Sequence, residues 1–281
     1  MQEARSGPGG GCILRYRPRI AVTVAAVGLA IVAVALPAVT GSHLPQRVPL
    51  NAATPTASLW QLCRDGSAAT STQPSADDSA ILQSYEQSRT ACDRLVDTSG
   101  LRDRDLVEAL LDRADLLAPG EKDSYARALA DYKRAIALAP DVAVAYWRRG
   151  KAHLLYGRNL PEALKNLDEA VRRDSSQAEF YITRASILSW LGQPNPALAD
   201  LNRALSRDPR SVHALTNRAM AYFNNGDITR ALADFDAALH LAPNDSGLYA
   251  LRSAARRQAG DEAGAKSDEA KMAELMFGKA P

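Results

Sequence analysis

The chain has 281 residues and a formal net charge of +2, with 34 basic side chains against 32 acidic ones. No basic stripe with interleaved aromatic residues interrupts that balance, which excludes the electrostatic footprint of a nucleic-acid-binding protein. Its four histidines show no H-x-x-x-H spacing, and neither a G-x-S-x-G elbow nor a phosphate-binding G-x-x-x-x-G-K-[ST] loop occurs. Common metal and nucleophile chemistries therefore have no visible site, and no cofactor, catalytic residue or metal ligand is expected.

The first element in chain order is a short basic tail, 1–19. Arg5, Arg15, Arg17 and Arg19 stand there against the single acid Glu3, and Gly7 to Gly11 form a flexible glycine-rich stretch. An uncharged apolar run, Ile20 to Val39, follows. At helical rise it covers about 30 Å, the thickness of a bilayer's hydrocarbon core. A transmembrane anchor is expected over 20–40, and the arginines before it place the N-terminus in the cytoplasm and the rest outside. The competing reading is a cleaved signal peptide, for which Ala33-Val34-Ala35 offers a small-residue site. The length of the apolar run and of its basic flank favours an uncleaved anchor.

A Pro-, Ala- and Thr-rich stretch reads as a linker over 41–76, and a capping helix is expected over 77–100. Its apolar stripe is Ile81, Tyr85, Ser88, Cys92 and Leu95. Cys63 and Cys92 lie on either side of a polar loop in the exported part of the chain, a setting that favours a disulfide. The alternative is a pair of buried free thiols.

From there a phrase recurs about every 34 residues. It begins at Ala128-Leu129, Ala163-Leu164, Ala197-Leu198 and Ala231-Leu232, and continues with Tyr132, Leu167, Leu201 or Phe235 and then Ala135, Ala170, Ala204 or Ala238. These positions make one stripe of an amphipathic helix. A partner helix precedes each phrase, marked by an Arg followed by a small residue: Arg113-Ala114, Arg149-Gly150, Arg184-Ala185, Arg218-Ala219 and Arg252-Ser253.

From the first Ala of each phrase to the next marker Arg the distance is always 21 residues, whereas from marker to phrase it runs 15, 14, 13, 13, 13. Length varies only in the turn within a hairpin, where an extra residue loops into water. The span that joins one hairpin to the next is invariant. Gly157, Gly192, Gly226 and Gly260 punctuate the turns, where a left-handed residue ends the first helix. Pro140, Pro209 and Pro243 stop three of the second helices, with Ser175 in the fourth place.

On these residues the chain resembles the tetratricopeptide repeat (TPR) family over roughly Asp105 to Phe277. The family's leading aromatic corresponds to Tyr146, Tyr181, Leu215 and Tyr249, and its glycine to Gly150, Ala185, Ala219 and Ser253. Its first-helix tyrosine survives as Tyr222, with His153, Leu188 and Arg256 elsewhere. Its second-helix phenylalanine is Phe235, and its leucine is replaced throughout by the marker Arg. The resemblance implies an all-α, right-handed TPR solenoid of antiparallel helix pairs behind the membrane helix and capping helix. The repeats would occupy 101–142 (degenerate), 143–177, 178–211, 212–245 and 246–281, the last a degenerate C-terminal cap with Lys266 and Glu269 on its outer face.

Asp131, Asp200, Asp234 and Asp268 recur at one place in the second helices, with Asn166 the exception. An Arg/Asp ladder is expected, tying the two helices of a repeat or adjacent repeats; the alternative is independent solvated charges.

The resemblance also implies that first helices line a concave binding face. Helical spacing puts Trp147, Lys151, Leu154, Ile182, Ser186, Trp190, His213, Thr216, Met220 and Phe223 on it. That set is apolar enough for a protein or peptide partner, though Trp147 and Trp190 could instead pack on neighbouring helices. The carboxylate-clamp residues known in this fold are absent, since Trp147, Thr183 and His213 hold the equivalent places. Met272, Leu275, Met276 and Phe277 could pack inward or form a docking edge.

The expected function is therefore a non-enzymatic, membrane-anchored adaptor on the periplasmic side of the cytoplasmic membrane. The alternatives are a self-assembling envelope protein, a homo-oligomer, or an enzyme with an unrecognised site.

Overall fold

The computed structural model describes residues 56–69, 78–97, 101–117 and 123–278. The basic tail, the apolar segment 20–40 and the rest of the linker lie outside the described residues, as do 98–100 of the capping segment and the side chain of Ile81. Twelve α-helices and no strands occur among the described residues. They are α1 (Thr56–Ala69), α2 (Asp78–Asp97), α3 (Asp103–Leu116), α4 (Ser124–Leu138), α5 (Ala143–Leu155) and α6 (Leu160–Arg173). The series continues with α7 (Ala178–Trp190), α8 (Pro194–Arg207), α9 (Val212–Asn224), α10 (Ile228–Leu241), α11 (Ser246–Gln258) and α12 (Glu262–Phe277).

The recurring phrase builds the second helix of each hairpin. Its small–large–small stripe is sealed: Ala163, Leu167 and Ala170 on α6 and Ala231, Phe235 and Ala238 on α10 are each 0% exposed. Each such Leu or Phe contributes roughly 1.5–3 kcal/mol by leaving water, while the alanines around it let the partner helix come close. Every first helix packs on its own second helix, and every second helix packs on the next first helix. In addition α3 touches α5, α5 touches α7 and α7 touches α9. First helices therefore line the inner side of the stack, with each hairpin covering an apolar stripe that its neighbour could not bury alone.

The turns follow the spacing. Gly192, Gly226 and Gly260 have φ of 71°, 80° and 82°, and the amide that follows each of these glycines returns to the first helix, as in Asp227 N to Tyr222 O at 2.9 Å. Side chains of Asn159, Ser211, Asp227, Asp245 and Asp261 then accept amide hydrogens to start the following helices. The turn with one extra residue departs from expectation: Arg158, not Gly157, takes the left-handed conformation, with φ 46°. Gly157 is small for another reason, because the Tyr125 ring lies where a Cβ would be.

Part of the expected linker is helical. Thr56–Ala69 forms α1 and turns Leu59, Leu62 and Cys63 inward, all buried. That i, i+3, i+4 stripe outweighs the Pro/Thr-rich composition on its N-terminal side. The expected single capping helix is thus half of a helical hairpin, α1 with α2, and α1 also packs on α3. Cys63 and Cys92, both 0% exposed, pair at disulfide distance with their Cα atoms 5.0 Å apart. One core cluster runs from Leu59 and Cys63 through Leu95 and Leu110 to Tyr132 and Ala152, fusing this hairpin to the first repeat.

Candidate functional site

The marker arginines act as staples. Arg184 on α7 donates from Nε and Nη2 to the two carboxylate oxygens of Asp200 on α8, at 2.7 and 2.8 Å. Its Nη1 reaches Asp168 on α6 of the preceding repeat at 2.9 Å. Arg218 repeats this with Asp234 at 2.7 and 2.8 Å and with Asn202 at 2.8 Å. Arg252 does so with Asp268 at 3.0 and 2.6 Å and Asp236 at 2.7 Å. Arg113 does so with Asp131 at 2.8 and 2.7 Å and Asp93 at 3.2 Å. One guanidinium thus closes a hairpin through a two-pronged bond and holds the preceding second helix with its remaining nitrogen. The bonds to these aspartates raise the pKa of all four arginines. Both kinds of tie expected from the sequence occur together.

Repeat 2 is the exception. Arg149 donates to Asn166 at 2.6 Å, and the place matching Asp168 and Asp236 is Lys133. With no aspartate at either place, burial lowers the Arg149 pKa. The joint to repeat 1 is held by other groups. Arg148 pairs with Asp112 at 2.9 Å and Asp115 at 3.0 Å on α3, Tyr132 donates to Asp115, and Tyr125 bonds His153 at 2.8 Å. Burial, and then Arg149, push the His153 pKa down. Sequence reasoning aligned His153 with the family's first-helix tyrosine and missed the Arg148 cluster, whose signal is the i, i+3 pair of carboxylates on α3.

The ten residues assigned to the first-helix face divide into three groups. Ile182 and Thr216, 5% and 7% exposed, are buried and offer a ligand little surface. Trp147 is half-buried against its neighbours: its indole donates to Thr183 Oγ1 at 2.9 Å, its ring lies 5.8 Å from that of Phe180, and Lys151 sits 4.5 Å over it. Ser186 is tied to Asn217 at 3.2 Å, and His213 lies 3.7 Å from Glu179. Leu154, Met220 and Phe223 are also half-buried, while Trp190 is 47% exposed. At the hairpin turns the structure also exposes Leu155, Tyr156 and Leu191, which a reading of helix faces overlooks because they end helices.

At the far end Met272 and Leu275 are half-buried and Met276 and Phe277 exposed. Among the described residues no group of His, Cys, Asp and Glu could hold a metal ion, and no helix is long and apolar enough to cross a membrane. An open cleft of about 280 Å³ is lined by α6, α7 and α8; of its charged groups Asp168, Arg184 and Asp200 serve the ladder and Arg203 pairs with Asp200 at 3.4 Å.

Helical hairpins joined by a recurrent arginine define an α-solenoid. Residues 120–178 and 182–246 match the model of the tetratricopeptide repeat family. Comparison with curated proteins gives no significant match. Among solved structures the chain is similar to PilW, described as a widely conserved type IV pilus biogenesis factor. Identity is 16% over 82% of this chain and 96% of that one, with a TM-score of 0.64. It is also similar to YrrB, a TPR protein with an unusual peptide-binding site, at 21% identity over 67% and 93% of the two chains, TM-score 0.51. A third is TTC0263, a thermophilic TPR protein of Thermus thermophilus, at 22% identity over 70% and 98%, TM-score 0.54. At these identities the likeness speaks for the fold.

Proposed function

We propose that this chain is a non-enzymatic scaffold, anchored in the cytoplasmic membrane by residues 20–40, that holds a protein partner on the inner, first-helix face outside the membrane. The observation carrying the binding role is the run Leu154, Met220 and Phe223 on that face, continued by exposed Trp190. Open apolar surface of this kind favours a peptide with apolar anchors. Support for the location comes from the uncharged run after a cluster of arginines, and from the Cys63–Cys92 pair, which suits an oxidising compartment. YrrB has a peptide-binding site and PilW serves pilus biogenesis; both uses are compatible with a scaffold.

Two measurements test the reading. Protease added outside spheroplasts should digest the repeats while sparing the basic tail; protection of the repeats contradicts the topology. Partner capture from membranes should be lost on Met220→Asn with Phe223→Asn; unchanged capture contradicts the face. A second reading, self-assembly, is favoured by Met276 and Phe277, 57% and 81% exposed at the end of α12. It predicts crosslinked homo-oligomers that vanish on Phe277→Ser.

A further inference from the structure

Two consecutive hairpin turns carry a partly exposed pair of large apolar side chains. Leu155 and Tyr156 end α5 and are 41% and 36% exposed; Trp190 and Leu191 end α7 and are 47% and 38% exposed. Counted from the marker Arg, these are the same two positions in successive repeats. The same positions hold Asn224 and Asn225 in repeat 4, and Gln258 and Ala259 in repeat 5. Those turns close their hairpins without large apolar residues there, so the large apolar pairs of repeats 2 and 3 are not needed to form a turn. The first helices α5 and α7 touch, and packed helices stand about 8–10 Å apart, so equivalent positions at their ends place the two pairs on one turn edge.

Two cations border them. Lys151 lies one helical turn before Leu155, with Nζ 4.5 Å over the Trp147 ring, and Arg158 lies in the turn itself. No ion pair joins either to a carboxylate of the described residues, whereas Arg148, Arg173 and Arg184 of the same repeats are all ion-paired. An apolar strip with uncompensated positive charge beside it is complementary to one kind of occupant.

We propose that the turn edge of repeats 2 and 3 is a docking surface for a peptide segment that carries large apolar side chains next to carboxylates. The apolar side chains cover Leu155, Tyr156, Trp190 and Leu191, and the carboxylates meet Lys151 and Arg158 where the covered surface excludes water. This rests on the scaffold reading and shares Trp190 and Lys151 with its face, but it does not use Met220 and Phe223, so the Met220/Phe223 variant separates the two.

The test is a random peptide library displayed on phage and panned against the purified full chain, followed by titration of a recovered peptide. Recovered sequences should pair apolar residues with Asp or Glu. Replacing the four residues by asparagine, as repeat 4 already has, should weaken binding at least about tenfold. Lys151→Glu with Arg158→Glu should do the same for an acidic peptide, while Met220→Asn with Phe223→Asn leaves binding on this edge unchanged. The charge-reversal variant keeps the test decisive should the fourfold variant not fold. Three outcomes overturn the proposal. They are no charge preference among recovered peptides, binding lost only in the Met220/Phe223 variant (which preserves the scaffold reading), and a fourfold variant defective in binding phosphatidylcholine vesicles or a second copy of the chain but not the peptide.

Discussion

Arg149 meets Asn166 at 2.6 Å where each of the other four marker arginines grips an aspartate. A neutral acceptor leaves a half-buried guanidinium without an ion-paired carboxylate, and burial then lowers the Arg149 pKa. Asn166→Asp should complete the ladder and stabilise the chain by about 1 kcal/mol. The gain is reduced by the lost bond from Asn166 to the Glu162 carbonyl at 2.7 Å. A melting curve shifted upward checks this; an unchanged or lower Tm contradicts the role given to the ladder.

Ladder positions should differ sharply in cost. The Asp200 side chain is 3% exposed and that of Arg184 15%, so Asp200→Ala leaves a largely buried cation with only the exposed Asp168 and should cost about 3 kcal/mol. Asp236, whose side chain is 58% exposed, takes only the outer prong of Arg252, and Asp236→Asn should cost no more than about 1 kcal/mol. Chemical denaturation of the two variants compares them directly.

Acid should weaken the joint between repeats 1 and 2 through His153. Its folded pKa is held below the ordinary 6.5 by burial and by Arg149, so the unfolded chain takes up the proton first. Stability present above pH 6.5 is therefore lost as pH falls through that value towards the folded pKa. His153→Gln keeps an acceptor for Tyr125 and removes the titration. Its Tm should vary less than the wild type's between about pH 7 and 5.

The cap should depend on redox state. Cys63 and Cys92 are separated by 29 residues, and closing such a loop stabilises by roughly 3 kcal/mol. The Cys63→Ser, Cys92→Ser variant should melt lower than the wild type, and reductant should lower the wild type to meet it. A wild type that yields two alkylated thiols without reductant contradicts the bond.

The ladder and the hairpins were legible because they are periodic. A constant 21-residue span between phrase and marker marks an interface, and a separate spacing of 16 residues from marker to aspartate aligns Arg184 with Asp200. The α1 helix was not legible from composition, since one buried stripe of Leu59, Leu62 and Cys63 follows a stretch rich in turn formers. Ile182 and Thr216 are buried for a tertiary reason: helical spacing identifies a face, but the packing of neighbouring helices decides which of its residues is covered. Trp147 and Trp190 sit on the same face, yet Trp147 is packed on Phe180 and Trp190 is open. The exposed turn edge is visible only when repeats are compared with one another, Leu155 and Trp190 against Asn224.

The central claim, a partner held by the first-helix face, is tested most directly by photocrosslinking in living cells. A photoreactive residue replacing Met220 should trap a discrete foreign protein, while the same residue replacing Asp236, on the second-helix side, should trap none. Equal products at both positions, or none at Met220, would contradict the account.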